Sequence, residues 1–409
     1  MGRRTIAEEF RSGAAIRHRR QSGEEPAADP SARRRSRRRR ISRRRTAIRV
    51  EGHGRVADHR RVDPRRKAEM TMIRTHSLAA FGVLVAAATL TAADPGHVRI
   101  VQTNSAGDSV SLIDPATNTV VGEIRDIEAN HGVAAAPDGS RLYVTNEAES
   151  TLDVVDAKAL KILARIRLSG RPNNLSISRD GRRVYIAIAQ SPGAVDVVDA
   201  ASMTRAKSIP IDGAGHNTYV TPDGKFVVAG SIAGRSLTVI DQSTERMAWS
   251  MKFEGGVRPI AFEKNPDGST ARMFVQLSDL HGFAVVDFAT HKETGRVILP
   301  DVPGAAKSLN VQGAPSHGIG VAPDGKTLWA TSKWYHFVAA YSMPDLEPLG
   351  IVHVGHHPDW LTFSPDSKFA YVACAGSNSV SVVDVKGMKE VSKIAVGQVP
   401  KRNITAVLQ

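Results

Sequence analysis

A turn and a strand alternate along most of this chain, and that repeat restricts the fold more than any other feature. The turn reads Pro137-Asp138-Gly139, Arg179-Asp180-Gly181, Pro222-Asp223-Gly224, Pro266-Asp267-Gly268, Pro323-Asp324-Gly325 and Pro365-Asp366-Ser367. Its Asp positions step by 42, 43, 44, 57 and 42 residues. The strand ends in Asp: Leu112-Ile113-Asp114, Val154-Val155-Asp156, Val197-Val198-Asp199, Val239-Ile240-Asp241, Val285-Val286-Asp287 and Val382-Val383-Asp384. Tyr341-Ser342-Met343 takes the missing sixth place, which makes seven copies. The period is near the roughly 40–45 residues of a four-stranded propeller blade.

Each copy has one order. A short strand follows a Gly- or Pro-containing loop, then come the turn, a second strand such as Arg141-Leu142-Tyr143-Val144-Thr145-Asn146, a polar loop, a third strand and a fourth. The runs are short, rich in Val, Ile, Leu and Tyr, and bounded by turn residues, which is the pattern of strands. One such sheet cannot bury both faces alone, so the copies pack radially. Residues 98–104 match a second strand and residues 400–408 a first strand. The two ends therefore complete one blade and close the ring, protecting its edges. The expected fold is an all-β, seven-bladed β-propeller over residues 98–409.

Tyr143-Val144-Thr145-Asn146 followed by Leu152-Asp153-Val154-Val155-Asp156, with Tyr371-Val372-Ala373-Cys374 as a diverged copy, resembles the YVTN-repeat propellers of bacteria and archaea. The resemblance implies the fold and an extracytoplasmic setting. Related propellers bind haem in nitrite reductases or copper in nitrous-oxide reductase, and fold alone does not choose among functions.

The charge lies at one end. Residues 1–69 carry 23 Lys and Arg against 9 Asp and Glu, and the rest of the chain carries 32 of each. The leader, with runs such as Arg37 to Arg40, has too little apolar content for a core and is expected to be disordered or not translated. The propeller has no basic excess to drive counterion release, so nucleic acid is not an expected partner. Met70 and Met72 begin a better start. Arg74 and His76, an apolar run from Leu78 to Leu90 and small residues before Asp94 read as a signal peptide over residues 70–93. The run is short for a membrane span. The expected product is a periplasmic or secreted monomer with no transmembrane segment. Its single cysteine, Cys374, sits in a strand pattern and reads as core.

The turn Asp residues and the strand-end Asp residues each have a structural role in their own turns. The opposite, top face is more informative. Seven residues before the turn Asp stand His131, Asn173, His216, Ile260, His317 and Asp359, with Lys401 in the closing strand. Histidines at a ring position suit a channel mouth, and neutral imidazoles are ligands for transition metals. His131, His216 and His317 are the metal candidates, with a transition metal or haem as the cofactor. A lactonase-like propeller needs a Glu, Asp and Asn metal set, and this position holds no Glu. His357 beside Asp359, and Trp334, Tyr335 and His336 in a top loop, extend the candidate ligand surface, since aromatic residues with a polar handle suit recognition. The alternative for the aromatic pair is packing against the neighbouring insertion. That insertion, residues 301–316, accounts for the 57-residue step and is expected to form a flap. Two functions stay open: a binding module for a protein or small ligand on the top face, and a metal- or haem-dependent redox protein.

Overall fold

The computed structural model describes residues 96–311 and 313–409. The leader and signal-peptide expectations fall outside them. Among the described residues there are 28 strands and no helix, arranged as seven four-stranded antiparallel sheets. The chain is a seven-bladed β-propeller. Blade 1 joins the two ends in the order β28 (Pro400–Leu408), β1 (His97–Asn104), β2 (Val110–Asp114), β3 (Thr119–Ile124). Register runs from His97 opposite Leu408 to Asn104 opposite Pro400, with one shift between Gln102 and Asn104, so closure rests on an antiparallel ladder along the whole strand. The first strands of the other blades are β4 (Asn130–Ala135), β8 (Pro172–Ile177), β12 (Gly215–Val220), β16 (Val257–Lys264), β20 (Ser316–Val321) and β24 (Pro358–Phe363). Each touches the next, and β28 lies between β24 and β4, so these seven strands wall a central channel.

Side-chain alternation explains the radial packing. In β5 (Arg141–Asn146), Leu142 and Val144 face blade 1 and Tyr143 faces blade 3. The buried apolar residues fall into seven clusters, one at each blade interface. The fourth strands lie outermost and are largely exposed, as in β11 (Thr204–Pro210).

The repeated Asp residues are scaffold. In the turns, Asp138 Oδ1 accepts from the Ser140 N–H at 3.0 Å, and Asp180, Asp223, Asp267, Asp324 and Asp366 do the same two residues on. At the strand ends, Asp156 Oδ1 accepts from the N–H groups of Lys158 and Ala159. Gly139 takes φ +72°, which its turn needs and which a side chain disfavours.

Candidate functional site

Every first strand carries a register irregularity at its top end, between its first residue and its third or fourth. A bulge re-aims side chains where a plain ladder would alternate them. The second residue of each first strand therefore defines one ring position: His131, Asn173, His216, Arg258, His317, Asp359 and Lys401. Six match the positions expected from sequence. Ile260 does not belong. Blade 5 runs ten residues from Val257 to the turn Asp267, against eight from Gly215 to Asp223 in blade 4. Counting back from that turn lands two residues deep, and Arg258 is the true occupant.

At the centre of the mouth, His216 and His317 meet edge to face with ring centroids 5.7 Å apart. The Asp359 carbonyl accepts from His317 Nδ1 at 2.8 Å, which places the ring's lone pair on Nε2. Asn217 Nδ2 donates to His216 Nδ1 at 2.6 Å. Burial pushes the His317 pKa down to about 3, against the opposing pull of Asp359. Burial and the neighbouring His317 also hold His216 well below the ordinary histidine value. Both rings are neutral at pH 7.

Beside them is a buried charge cluster. Asp359 is 1% exposed, and its Oδ1 accepts from Lys333 Nζ at 2.6 Å and from Lys401 Nζ at 3.4 Å. The two lysines overcome the desolvation that opposes ionisation and hold the Asp359 carboxyl well below the usual carboxylate range. Lys333, 5% exposed, is lowered by burial although Asp359 favours its charge. Arg258 joins with its Nε donating to Ser278 Oγ at 2.9 Å, in the field of Asp359 and Asp279. Lys333 comes from the loop between β21 (Thr327–Ser332) and β22 (Phe337–Ser342). Its neighbours Trp334 to His336 drew attention in the sequence, but Lys333 is the residue of that loop that reaches the bore.

A second group forms around His131. Glu147, from the loop after β5, accepts from His131 Nδ1 at 2.7 Å and from Arg171 Nη1 at 2.8 Å, and the Asn173 amide lies 3.5 Å away. A carboxylate on Nδ1 orients the imidazole and leaves Nε2 for another partner. Glu147 had no signal in the ring alignment because it enters from a loop.

The remaining predicted residues lie further out. Trp334 packs under Lys307 Nζ, 4.0 Å from the ring centroid, and the Tyr335 hydroxyl donates to Asp301 at 2.9 Å. Lys307 and Asp301 both belong to the insertion, so this aromatic pair packs against it. The His336 ring lies tilted against those of His356 and His357, with centroids 4.5 and 5.4 Å apart, and Ser308 of the insertion bonds His357 Nε2 at 2.6 Å. The insertion is thus fastened to the top of blades 6 and 7. Among the described residues, no three of His, Cys, Asp and Glu gather as one ion's ligands. His131 stays with Glu147 and does not join His216 and His317 in a three-histidine shell.

Comparison with known proteins agrees with the fold. The profile of the Cytochrome D1 heme domain family matches residues 93–229, about a third of the chain. No curated protein matches. Solved structures that resemble the chain include Kuenenia stuttgartiensis hydrazine synthase, 24% identical with TM-score 0.61 over 74% of this chain and 99% of that one. Dihydro-heme d1 dehydrogenase NirN, in complex with DHE, is 16% identical with TM-score 0.56, over 74% of this chain and 64% of that one. The Pseudomonas aeruginosa periplasmic gluconolactonase is 18% identical with TM-score 0.60, over 76% of this chain and 99% of that one. At these identities the likeness is one of fold.

Proposed function

We propose that this propeller is a ligand-binding module that takes a small anion at the top mouth of its channel. One observation carries the reading. A single buried carboxylate, Asp359, is shared by Lys333 and Lys401, with Arg258 on the same ring. Each ammonium has three N–H donors, and Asp359 accepts one from each, so donors and positive charge are left for a ligand acid group. The neutral rings of His216 and His317 add polar contacts without adding charge. The signal-like segment at residues 70–93 supports work in the periplasm or outside the cell.

The Cytochrome D1 heme domain match favours a second, narrower reading, in which the anion is a carboxylate-bearing haem-type tetrapyrrole. The donor set fits in part. His317 Nε2 has the lone pair of an iron ligand and its Nδ1–H is already bonded to a carbonyl, a usual partner of a ligating imidazole. Lys333 and Lys401 suit the acid side chains. The 5.7 Å between the rings of His216 and His317 is too little for a macrocycle between them, since two van der Waals contacts need about 7 Å. When bound, such a group would supply electron transfer, and the chain would supply its ligand, its counter-charges and a partly dry setting.

Titration calorimetry of untagged protein with gluconate, citrate and haemin tests both readings, with a visible spectrum recorded for haemin. At least one of the three is expected to bind, and Lys401→Glu is expected to weaken it ten-fold or more, about 1.4 kcal/mol. A Soret shift lost in His317→Ala selects the tetrapyrrole. No binding by any of the three, or binding that Lys401→Glu leaves unchanged, refutes the mouth as an anion site.

A further inference from the structure

One residue further along the first strands, the bore holds a charge with no counter-charge among the described residues. Arg402 follows Lys401 in β28 and is 9% exposed. Its guanidinium carbon lies 5.0 Å from the ring of Trp360, in the neighbouring first strand β24. It lies 5.5 Å from the ring of Tyr219, in β12 across the channel. Nη1 donates to Asn174 Oδ1 of β8 at 3.3 Å. The side chain thus spans the bore from blade 1 to blades 3 and 4.

A guanidinium has five N–H donors in a fixed fork, and it does not lose its proton. Among the described residues only Nη1 has a protein acceptor, and the buried Nε has none. No carboxylate acts on Arg402 among the described residues. Burial disfavours its charge, and Tyr219 alone opposes that. Burial pushes the Tyr219 phenol up to about 12, so it is uncharged at neutral pH and is not the counter-ion. The ring faces of Trp360 and Tyr219 offset part of the cost of burying the cation. Buried charges are otherwise paired, and water can satisfy N–H groups but cannot neutralise a charge.

We propose that Arg402 binds a small planar oxyanion, of the nitrate or carboxylate kind, inside the channel below the mouth. Paired N–H groups of a guanidinium match the two oxygens of such an ion and discriminate against a spherical one. This site is separate from the mouth: Lys333, Lys401 and Asp359 form their own cluster, and none of them is a partner of Arg402.

The test is thermal unfolding of the wild-type chain in nitrate, formate or chloride at constant ionic strength. An ion that binds the folded state alone raises the folding constant about 100-fold at 100 times its Kd, and the effect follows a binding isotherm. Nitrate and formate are expected to raise the midpoint saturably and chloride less. Because the mouth would take the same ions, the response is read in Lys401→Gln, which weakens the mouth: a saturable response is expected to persist there, and adding Arg402→Met is expected to abolish it. A response that is linear in salt, equal for chloride, absent from Lys401→Gln or retained by the double variant overturns the proposal. If Arg402→Met does not fold, nitrate quenching of tryptophan fluorescence replaces it. Saturable quenching that Trp360→Phe removes supports the site, and linear quenching in both proteins overturns it.

Discussion

The buried neutral histidines, His317 in the bore and His281 in the loop after β17 (Thr270–Leu277), make a quantitative statement about acid stability. His317 has a folded pKa near 3 against about 6.5 unfolded, and His281 has about 4, both because burial disfavours the imidazolium. A group whose folded pKa is depressed leaves stability intact above its unfolded value. As pH falls below 6.5 the unfolded chain takes up protons that the folded one refuses, and stability drops until the folded pKa is reached. At pH 5.0 each such histidine has cost about 2 kcal/mol, so His317 and His281 together cost about 4 kcal/mol relative to pH 7.5. His216 acts in the same direction. Asp359 does not blur the window, because its carboxyl is held below the usual range and stays charged down to pH 5.0.

The perturbation is His317→Asn, which keeps a donor near the place of Nδ1 and removes the titrating ring. Guanidinium chloride unfolding of wild type and variant at pH 7.5 and 5.0 gives four free energies. The variant is less stable at both pH values, since it leaves space beside His216 and Trp360, whose ring centroids lie 5.7 Å from that of His317. The informative quantity is the loss between the two pH values, expected to be about 2 kcal/mol smaller in the variant. An equal loss in both proteins would show that His317 is not held neutral by burial. It would also remove the ground for treating its Nε2 as a lone-pair donor at neutral pH.

Two further outcomes test closure and the core. A side chain at Gly139 meets positive φ and also the Val407 carbonyl oxygen, 2.4 Å from where its Cβ would stand, whereas Gly325 has the same φ with nothing within 4 Å. Gly325→Ala is expected to cost about 1–2 kcal/mol from backbone strain alone and Gly139→Ala about 1–3 kcal/mol more, because the closing strand must shift; equal midpoints in thermal unfolding would mean that the turn does not brace β28. Cys374 is fully buried and its thiol is pushed up to about 11, so a thiol reagent at pH 8 is expected to label it only in denaturant, and rapid labelling of native protein would contradict the packing of β25 (Phe369–Cys374).

The fold was legible because a propeller writes its period twice, once in the turns at the bottom and once in the strands that end in Asp. Those Asp residues bond their own backbones, so selection for the turn keeps them in view whatever the blade binds. The pairing of residues 98–104 with 400–408 was equally open to inspection, since each end lacks what the other supplies. The site was legible only where the count from bottom to top was constant. Blade 5 lengthens both arms of its first hairpin by two residues, and Arg258 was displaced from the ring by that amount. The top end has its own marker: the last residue of each second strand pairs with the first residue of the first strand, as Asn146 with Asn130 and Leu277 with Val257. Anchoring there returns Arg258 without a structure. Lys333 and Glu147 are a different kind of omission. They reach the ring from loops between second and third strands, whose path no strand periodicity predicts. What joins them to the ring is electrostatic need: Asp359 buried at the mouth requires a cation, and Lys333 is the buried cation that meets it. Arg402 inverts that relation, being a buried cation that no carboxylate among the described residues meets. That inversion makes the bore below the mouth the place where a ligand of opposite charge is expected.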